Sequence, residues 1–199
     1  STYAADIDGL VLIVGLLAAV NLAFHLEAHF EGVALYSSRL GIAAVLILIM
    51  VVGGRIIPSF TRNWLMRRQP GRLPVPFGRF DTACIVLSGI GLALWVVIPE
   101  EAPTGVALLA AAVLNLVRLC RWAGHRTFAD RLVLVLHVGY AFVPLGFLLA
   151  GLSAFGITAP SAGIHAWTAG TIGIMTLAVM SRASLGHTGR ALIASPALQ

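Results

Sequence analysis

The chain has little charge, and its basic side chains are of one kind. Asp, Glu, Lys and Arg make up only 11% of its 199 residues, against about a quarter in an ordinary soluble domain. Lysine is absent, so arginine alone supplies the positive charge behind the formal net charge of +5. Two cysteines do not make a disulfide framework. This composition excludes a soluble globular class and indicates membrane orientation, not nucleic-acid binding, as the reason for the net charge.

Long apolar runs take the place of charge. Hydrophobic residues form 59% of the sequence, and the mean hydropathy is +0.95. Six runs have about the 20 residues that cross a bilayer core, and helices are favoured because lipid cannot satisfy the edge of an open sheet. We therefore predict an all-α, polytopic transmembrane helix bundle that forms one integral-membrane domain over residues 1–199. The predicted spans are Ile7–His25, Leu40–Ile57, Phe80–Ile98, Thr104–Leu119, Leu132–Leu152 and Ile164–Ala183.

Prolines and tryptophans mark the expected ends of these spans. Pro58 is expected to end the second span, after which Thr61–Arg68 would form a short helix on the membrane surface. Pro160 suits the start of the sixth span. The four tryptophans lie near span ends, so the pattern predicts an aromatic belt at the interface; they are Trp64, Trp95, Trp122 and Trp167.

The charge of the segments that connect the predicted spans alternates along the chain. The segments between spans two and three and between spans four and five are rich in arginine, whereas the other connections carry glutamates or no charge. By the positive-inside rule the arginine-rich connections face the cytoplasm. The even number of spans then puts both termini on the cytoplasmic side.

The histidines are the leading candidates for chemistry. His137 lies inside the fifth span, where an ionisable side chain is a functional candidate, although a neutral histidine hydrogen-bonded to a neighbouring helix is an equal alternative. His165 and His187 flank the sixth span, roughly 33 Å apart at helical rise, so they cannot share one metal ion. Imidazole is a ligand for haem iron and for copper. The alternative is that both are interfacial histidines with solvated tips.

Other residues give weaker signals. His25 and His29 are one helical turn apart, a spacing that chelates a divalent ion but is also typical of a solvated face. Arg55 follows two glycines and suits a haem propionate, or simply obeys the positive-inside rule. Cys84 and Cys120 together with imidazoles would suit copper, but we interpret them as buried small hydrophobes because no CxxC pair occurs.

We expect the spans to lack an inward charged pair. No two carboxylates face each other in the predicted spans, which argues against a proton-relay pump. A transporter with broken helices at Pro144 and the glycines therefore ranks last among the functional hypotheses. A metal-free accessory subunit of a larger membrane complex is a second hypothesis.

Three stretches together resemble one known family. They are GRIIPSFT at Gly54–Thr61, LHVGY at Leu136–Tyr140, and a C-terminal stretch that begins at His165 and includes RASLGHTGR at Arg182–Arg190. The residues of these three stretches, their order and their approximate spacing are similar to those of the NnrS family. We therefore identify the chain as resembling that family.

The resemblance implies a function that the composition does not. NnrS proteins are polytopic bacterial inner-membrane proteins that contain haem and copper and belong to the response to nitric oxide and nitrosative stress, often beside denitrification. His137, His165 and His187 match the family's histidine positions, and Arg55 and Arg182 match its polar ones. Nitric oxide would be a ligand of the metal. The family's length of about twelve spans implies that this chain resembles its C-terminal half, with an N-terminal half or another membrane subunit as a partner.

Overall fold

The computed structural model describes residues 2–67 and 71–187, with side chains described over 15–67 and 71–185. Across these residues all regular structure is helical and no strand occurs, which confirms the predicted all-α class. The helices are α1 (Thr2–Glu31), α2 (Leu35–Leu65), α3 (Arg79–Val97), α4 (Ala102–Cys120), α5 (Arg131–Ala154), α6 (Pro160–His165) and α7 (Ile174–His187), with a 3₁₀ turn at Gly124–Arg126 and a π-helical segment at Ala166–Gly173.

Five helical segments are long and apolar enough to cross a membrane. They correspond to the second to sixth predicted spans and indicate a multi-pass membrane protein. The first predicted span falls within α1, and the side chains of its first half lie outside the described residues. The orientation of the termini stays a prediction.

Helix α2 does not end at Pro58. It continues without interruption to Leu65, so the predicted end of the second span and the separate surface helix at Thr61–Arg68 are both wrong over the described residues. The Thr61 hydroxyl donates to the Ile57 carbonyl at 2.8 Å, and Ile57, Thr61 and Leu65 are buried. Packing of this inward stripe outweighs the loss of one helical hydrogen bond at the proline. Arg68 lies outside the described residues.

The sixth span is one rod with an irregular middle. It begins at Pro160, as predicted, and runs as α6, the π-helical segment and α7. π-Helical turns are rare and concentrate at functional sites. Here the irregular turns begin directly after His165.

Helix α5 lies at the centre of the bundle, in contact with α2, α4, α6, the π-helical segment and α7. At Gly146, an added Cβ would lie 2.3 Å from atoms of the Trp167 ring, so only glycine lets α5 and the sixth span approach this closely. Trp167 is fully buried, with the rings of Trp95 and Phe147 centred 5.1 and 5.3 Å away. Trp122 is buried too. The predicted aromatic belt is therefore wrong for Trp95, Trp122 and Trp167, whose rings fill the inside of the bundle.

The turn between α1 and α2 is held by one carboxylate. Glu27 accepts hydrogen bonds from the backbone N–H groups of Tyr36 (2.8 Å) and Ser37 (2.7 Å), and also from the Ser37 hydroxyl. It thereby satisfies donors in the first turn of α2, where a negative charge is favourable. The Ser37 hydroxyl holds the pKa of Glu27 below its ordinary value.

We expect this carboxylate to make stability depend on pH. Because the folded-state pKa is lowered, the stabilisation is complete above the ordinary glutamate pKa and is lost as pH falls through the folded value. The difference in melting temperature between the wild type and Glu27→Gln, measured in mild detergent, should shrink as pH falls from 7 towards 3. Glu31→Gln, which removes an exposed carboxylate from the same helix, is the control. An equal, pH-independent effect of both variants would contradict the prediction.

Candidate functional site

A buried ion pair joins α3 and α4. Arg118, in the last turn of α4, is fully buried and donates from Nε to Asp81 Oδ1 at 2.8 Å. The expectation that the spans lack an inward charged pair is therefore wrong. Each of the two residues has another explanation when it is considered alone. An arginine near a span end satisfies the positive-inside rule, and Asp81 lies in the first turn of α3, where an acidic side chain interacts favourably with the helix dipole.

The Arg118 guanidinium also contacts the other two central helices. Its Nη1 donates to the Met50 carbonyl of α2 at 3.0 Å and to the Tyr140 hydroxyl of α5 at 2.9 Å. The Tyr140 hydroxyl in turn donates to Asn115 Oδ1 at 3.0 Å, and Asn115 Nδ2 donates to Ser88 Oγ at 2.8 Å. One connected network thus links α2, α3, α4 and α5. We call Ser88, Asn115, Tyr140, Arg118 and Asp81 the polar centre.

Aromatic rings and one glycine enclose the guanidinium. Arg118 Cζ lies 5.4 Å from the Trp122 ring centroid, 5.7 Å from that of Phe77 and 6.0 Å from that of Tyr140, all within cation–π range. On the fourth side, a Cβ at Gly54 would lie 1.9 Å from Arg118 Nη2. Gly54, the first residue of the Gly54–Thr61 motif, therefore has a structural role, because it leaves room for an arginine of another helix.

One nitrogen of Arg118 is left without a partner. Nη2 is buried and makes no hydrogen bond to any described residue. The reason is that Asp81 uses only one oxygen on the guanidinium. Its other oxygen, Oδ2, accepts from the Gly78 backbone N–H at 3.0 Å, so the bidentate pairing that would satisfy Nε and Nη2 together does not form.

His137 lies one helical turn from Tyr140 on α5 and is 6% exposed. Its Nδ1 is 3.0 Å from the Val133 carbonyl, and its Nε2 is 3.4 Å from the Thr61 hydroxyl of α2. A Cβ at Gly124 would lie 2.5 Å from the ring, so the edge of the imidazole is closely packed. His137 therefore has the contacts of a hydrogen-bonded core histidine, while its role as a ligand stays a prediction.

His165 is exposed, in contrast to the buried His137. Its Nδ1 lies 2.7 Å from the Ser161 carbonyl. Because a carbonyl only accepts, Nδ1 carries the proton and Nε2 presents a free lone pair. No partner for Nε2 occurs among the residues whose side chains are described. Small and mildly polar residues continue this side of the rod, with Ala169 and Thr176 exposed and Thr168 partly so.

The two leading histidines lie far apart. Gly163, two residues before His165, packs against Ala150 of α5, and Ala150 is about 20 Å along that helix from His137. The two imidazoles cannot share one metal ion.

The remaining predicted ligands are not brought together. His25 and His29 are both exposed on α1 and pack edge-on against Phe24 and Phe30 respectively. Helix α7 ends at His187, whose side chain lies outside the described residues. Within the described parts of the chain, no three His, Cys, Asp or Glu side chains are grouped so as to hold a metal ion.

The two predicted polar residues both stack on aromatic rings. Arg55 is exposed, with Cζ 5.0 Å from the Phe77 centroid. Arg182 is half-buried, with Cζ 4.1 Å from the Phe60 centroid, and its Nη1 is buried without a partner among the described residues. Arg55 thus belongs to the surroundings of Arg118 and not to those of His165.

Together these features define a multi-pass helical membrane protein with a charged, hydrogen-bonded centre inside its bundle. The family described as NnrS protein matches residues 8–199, nearly the whole chain, and the chain belongs to that family. The predicted resemblance is thereby confirmed. Searches of curated proteins and of solved structures found no match to this chain.

The close approach of Gly54 to Arg118 gives a direct test of the polar centre. Gly54→Ala would force the guanidinium away from α2, and we expect it to lower the free energy of unfolding by about 1–3 kcal/mol, the usual cost of overpacking. Unfolding in mild detergent measures it. Gly89→Ala is the matched control, because a Cβ there meets nothing within 4 Å. Equal stabilities for the two variants would show that Arg118 is not held where the structure has it.

Proposed function

We propose that this chain is a haem-binding protein of the bacterial inner membrane that acts in the response to nitric oxide and nitrosative stress, in association with denitrification. Membership of the NnrS family supports the setting, and the geometry of His165 supports the haem. The observation that carries the proposal is the free, exposed Nε2 of an imidazole whose Nδ1 is already fixed by a backbone carbonyl.

His165 fits the requirements of a haem ligand. A ligating imidazole usually donates its other ring nitrogen to a carbonyl or carboxylate, which fixes the tautomer and the ring orientation. The Ser161 carbonyl, 2.7 Å from Nδ1, meets this requirement. The exposed small residues that follow leave a flat strip beside the imidazole, on which a planar macrocycle can lie. When bound, haem iron would supply a coordination position for nitric oxide.

In this proposal each of the chain's own groups has a separate task. His165 Nε2 would hold the iron, the Ser161 carbonyl would keep the proton on Nδ1, and the strip containing Ala169 would support the macrocycle. Because this strip is on the outer surface of the bundle, the opposite face of the haem would meet lipid or a partner, such as the N-terminal half or another membrane subunit. The π-helical turns after His165 set which side chains share its face.

Copper, the second cofactor that the family implies, stays a prediction. Within the described residues no group of three or more His, Cys, Asp or Glu side chains could hold a metal ion, and His25 and His29 offer two imidazoles. The proposal is therefore argued for haem.

The proposal predicts a haem spectrum that depends on one histidine. The purified chain should show a Soret band and sharp reduced bands, with iron in the same sample, and nitric oxide should shift the bands. His165→Ala should lose or strongly alter this spectrum because the protein ligand is gone. His125→Ala, which removes another exposed histidine, should leave it unchanged.

Two results would contradict the proposal. A spectrum unchanged in His165→Ala would place the iron on another ligand. A chain without iron and without a Soret band, even when its partner is supplied, would favour the metal-free accessory subunit instead.

A further inference from the structure

The arginine-rich end of the bundle contains an arrangement that the haem proposal does not use. Exposed Arg55 and buried Arg118 lie against the same aromatic ring, that of Phe77, at 5.0 and 5.7 Å from its centroid. We propose that these three residues form a binding site for a small monovalent anion, with Arg118 Nη2 as its inner donor, Arg55 as its outer one and Phe77 between them.

The first argument is the unpartnered nitrogen. Arg118 Nη2 carries two N–H groups, is fully buried and has no hydrogen-bond partner among the described residues. Buried donors are normally satisfied, and an unsatisfied one attached to a cation is especially costly. Every other donor of this guanidinium has a partner, since Nε bonds Asp81 and Nη1 bonds both Met50 and Tyr140. The side chain is thus held by several contacts, and Nη2 is the one nitrogen of the guanidinium that has no acceptor among the described residues.

The second argument is the charge balance. Asp81 neutralises Arg118, and that is the one ion pair found within the described residues. Arg55 adds a positive charge with no carboxylate partner there. Nearby, Arg121 stacks on Phe80 with Cζ 4.5 Å from the ring centroid, so the surroundings are positive as well. Asp81 offsets the charge of Arg118, so Arg55 leaves one uncompensated positive charge next to Phe77, which a monovalent anion would balance.

The third argument is access. Phe77 lies in the non-helical segment that precedes α3 and is only partly buried, and its ring contacts both the exposed Arg55 and the buried Arg118. This segment is tied to the end of the bundle, because the Val75 backbone N–H donates to the Arg121 carbonyl at 3.1 Å. In this proposal, displacement of the Phe77 side chain lets an anion attracted to Arg55 reach Nη2.

The test is the effect of anions on thermal unfolding of the purified chain in a non-ionic detergent. A ligand that binds only the folded state raises the melting temperature towards saturation. Nitrate and chloride are titrated against isethionate, a larger anion, at constant ionic strength. We expect nitrate and chloride to raise the melting temperature of the wild type saturably. Arg55→Gln should weaken the apparent affinity roughly tenfold, the loss expected for one charge-assisted contact.

Arg62→Gln is the matched control. Arg62 is an exposed arginine of the same helix, so its loss should leave the anion response at the wild-type value. Iodide provides a second measurement, because Trp122 lies 5.4 Å from Arg118 Cζ; bound iodide should quench part of the tryptophan fluorescence saturably in the wild type and more weakly in Arg55→Gln.

Three outcomes would overturn the proposal. They are an unsaturable response that is the same for all anions, a saturable response that Arg55→Gln does not change, and equal losses in Arg55→Gln and Arg62→Gln. None of these depends on haem, so the proposed function is tested separately.

Discussion

The ion pair between Arg118 and Asp81 is the constraint on which the bundle depends. A buried arginine is costly unless its charge is paired and its donors are satisfied, and the partners here come from three other helices. Asp81 belongs to α3, the Met50 carbonyl to α2 and the Tyr140 hydroxyl to α5. The position of each helix is therefore fixed relative to α4 by a polar contact, in a bundle whose core cluster is otherwise largely apolar. Gly54 belongs to the same constraint, because a Cβ at this position would lie only 1.9 Å from Arg118 Nη2.

The candidate chemistry lies apart from this rigid centre. His137 is near the polar centre and closely packed. His165 is exposed near the start of the sixth span, directly before the π-helical turns. This division separates two tasks. The centre holds the helices and, in our proposal, an anion; the outer strip beside His165 is open to a planar cofactor and to a partner.

The sequence predicts the helices better than the contacts between them. Apolar runs alone locate the second to sixth spans, because a bilayer requires about 20 apolar residues in each. Pro58 misleads, since the cost of one lost hydrogen bond is local whereas the burial that extends α2 to Leu65 is tertiary. The tryptophans mislead for the same reason. The pairing of Asp81 with Arg118 joins residues of different helices, and each residue alone has an ordinary explanation at a helix end. For the histidines, the sequence gives depth, but not that one imidazole is enclosed and the other exposed.

The most direct test of this account is a double-mutant cycle with Asp81→Asn and Arg118→Met, in which the free energy of unfolding is measured in mild detergent. If the pair is the central constraint, each single variant leaves a charge or a charged partner buried and unpaired, and should lose about 3–5 kcal/mol. The double variant removes both charges and should be more stable than Asp81→Asn alone, with a large coupling energy. Single losses that are small and simply add in the double variant would contradict the account, because the two side chains would then contribute independently to the fold.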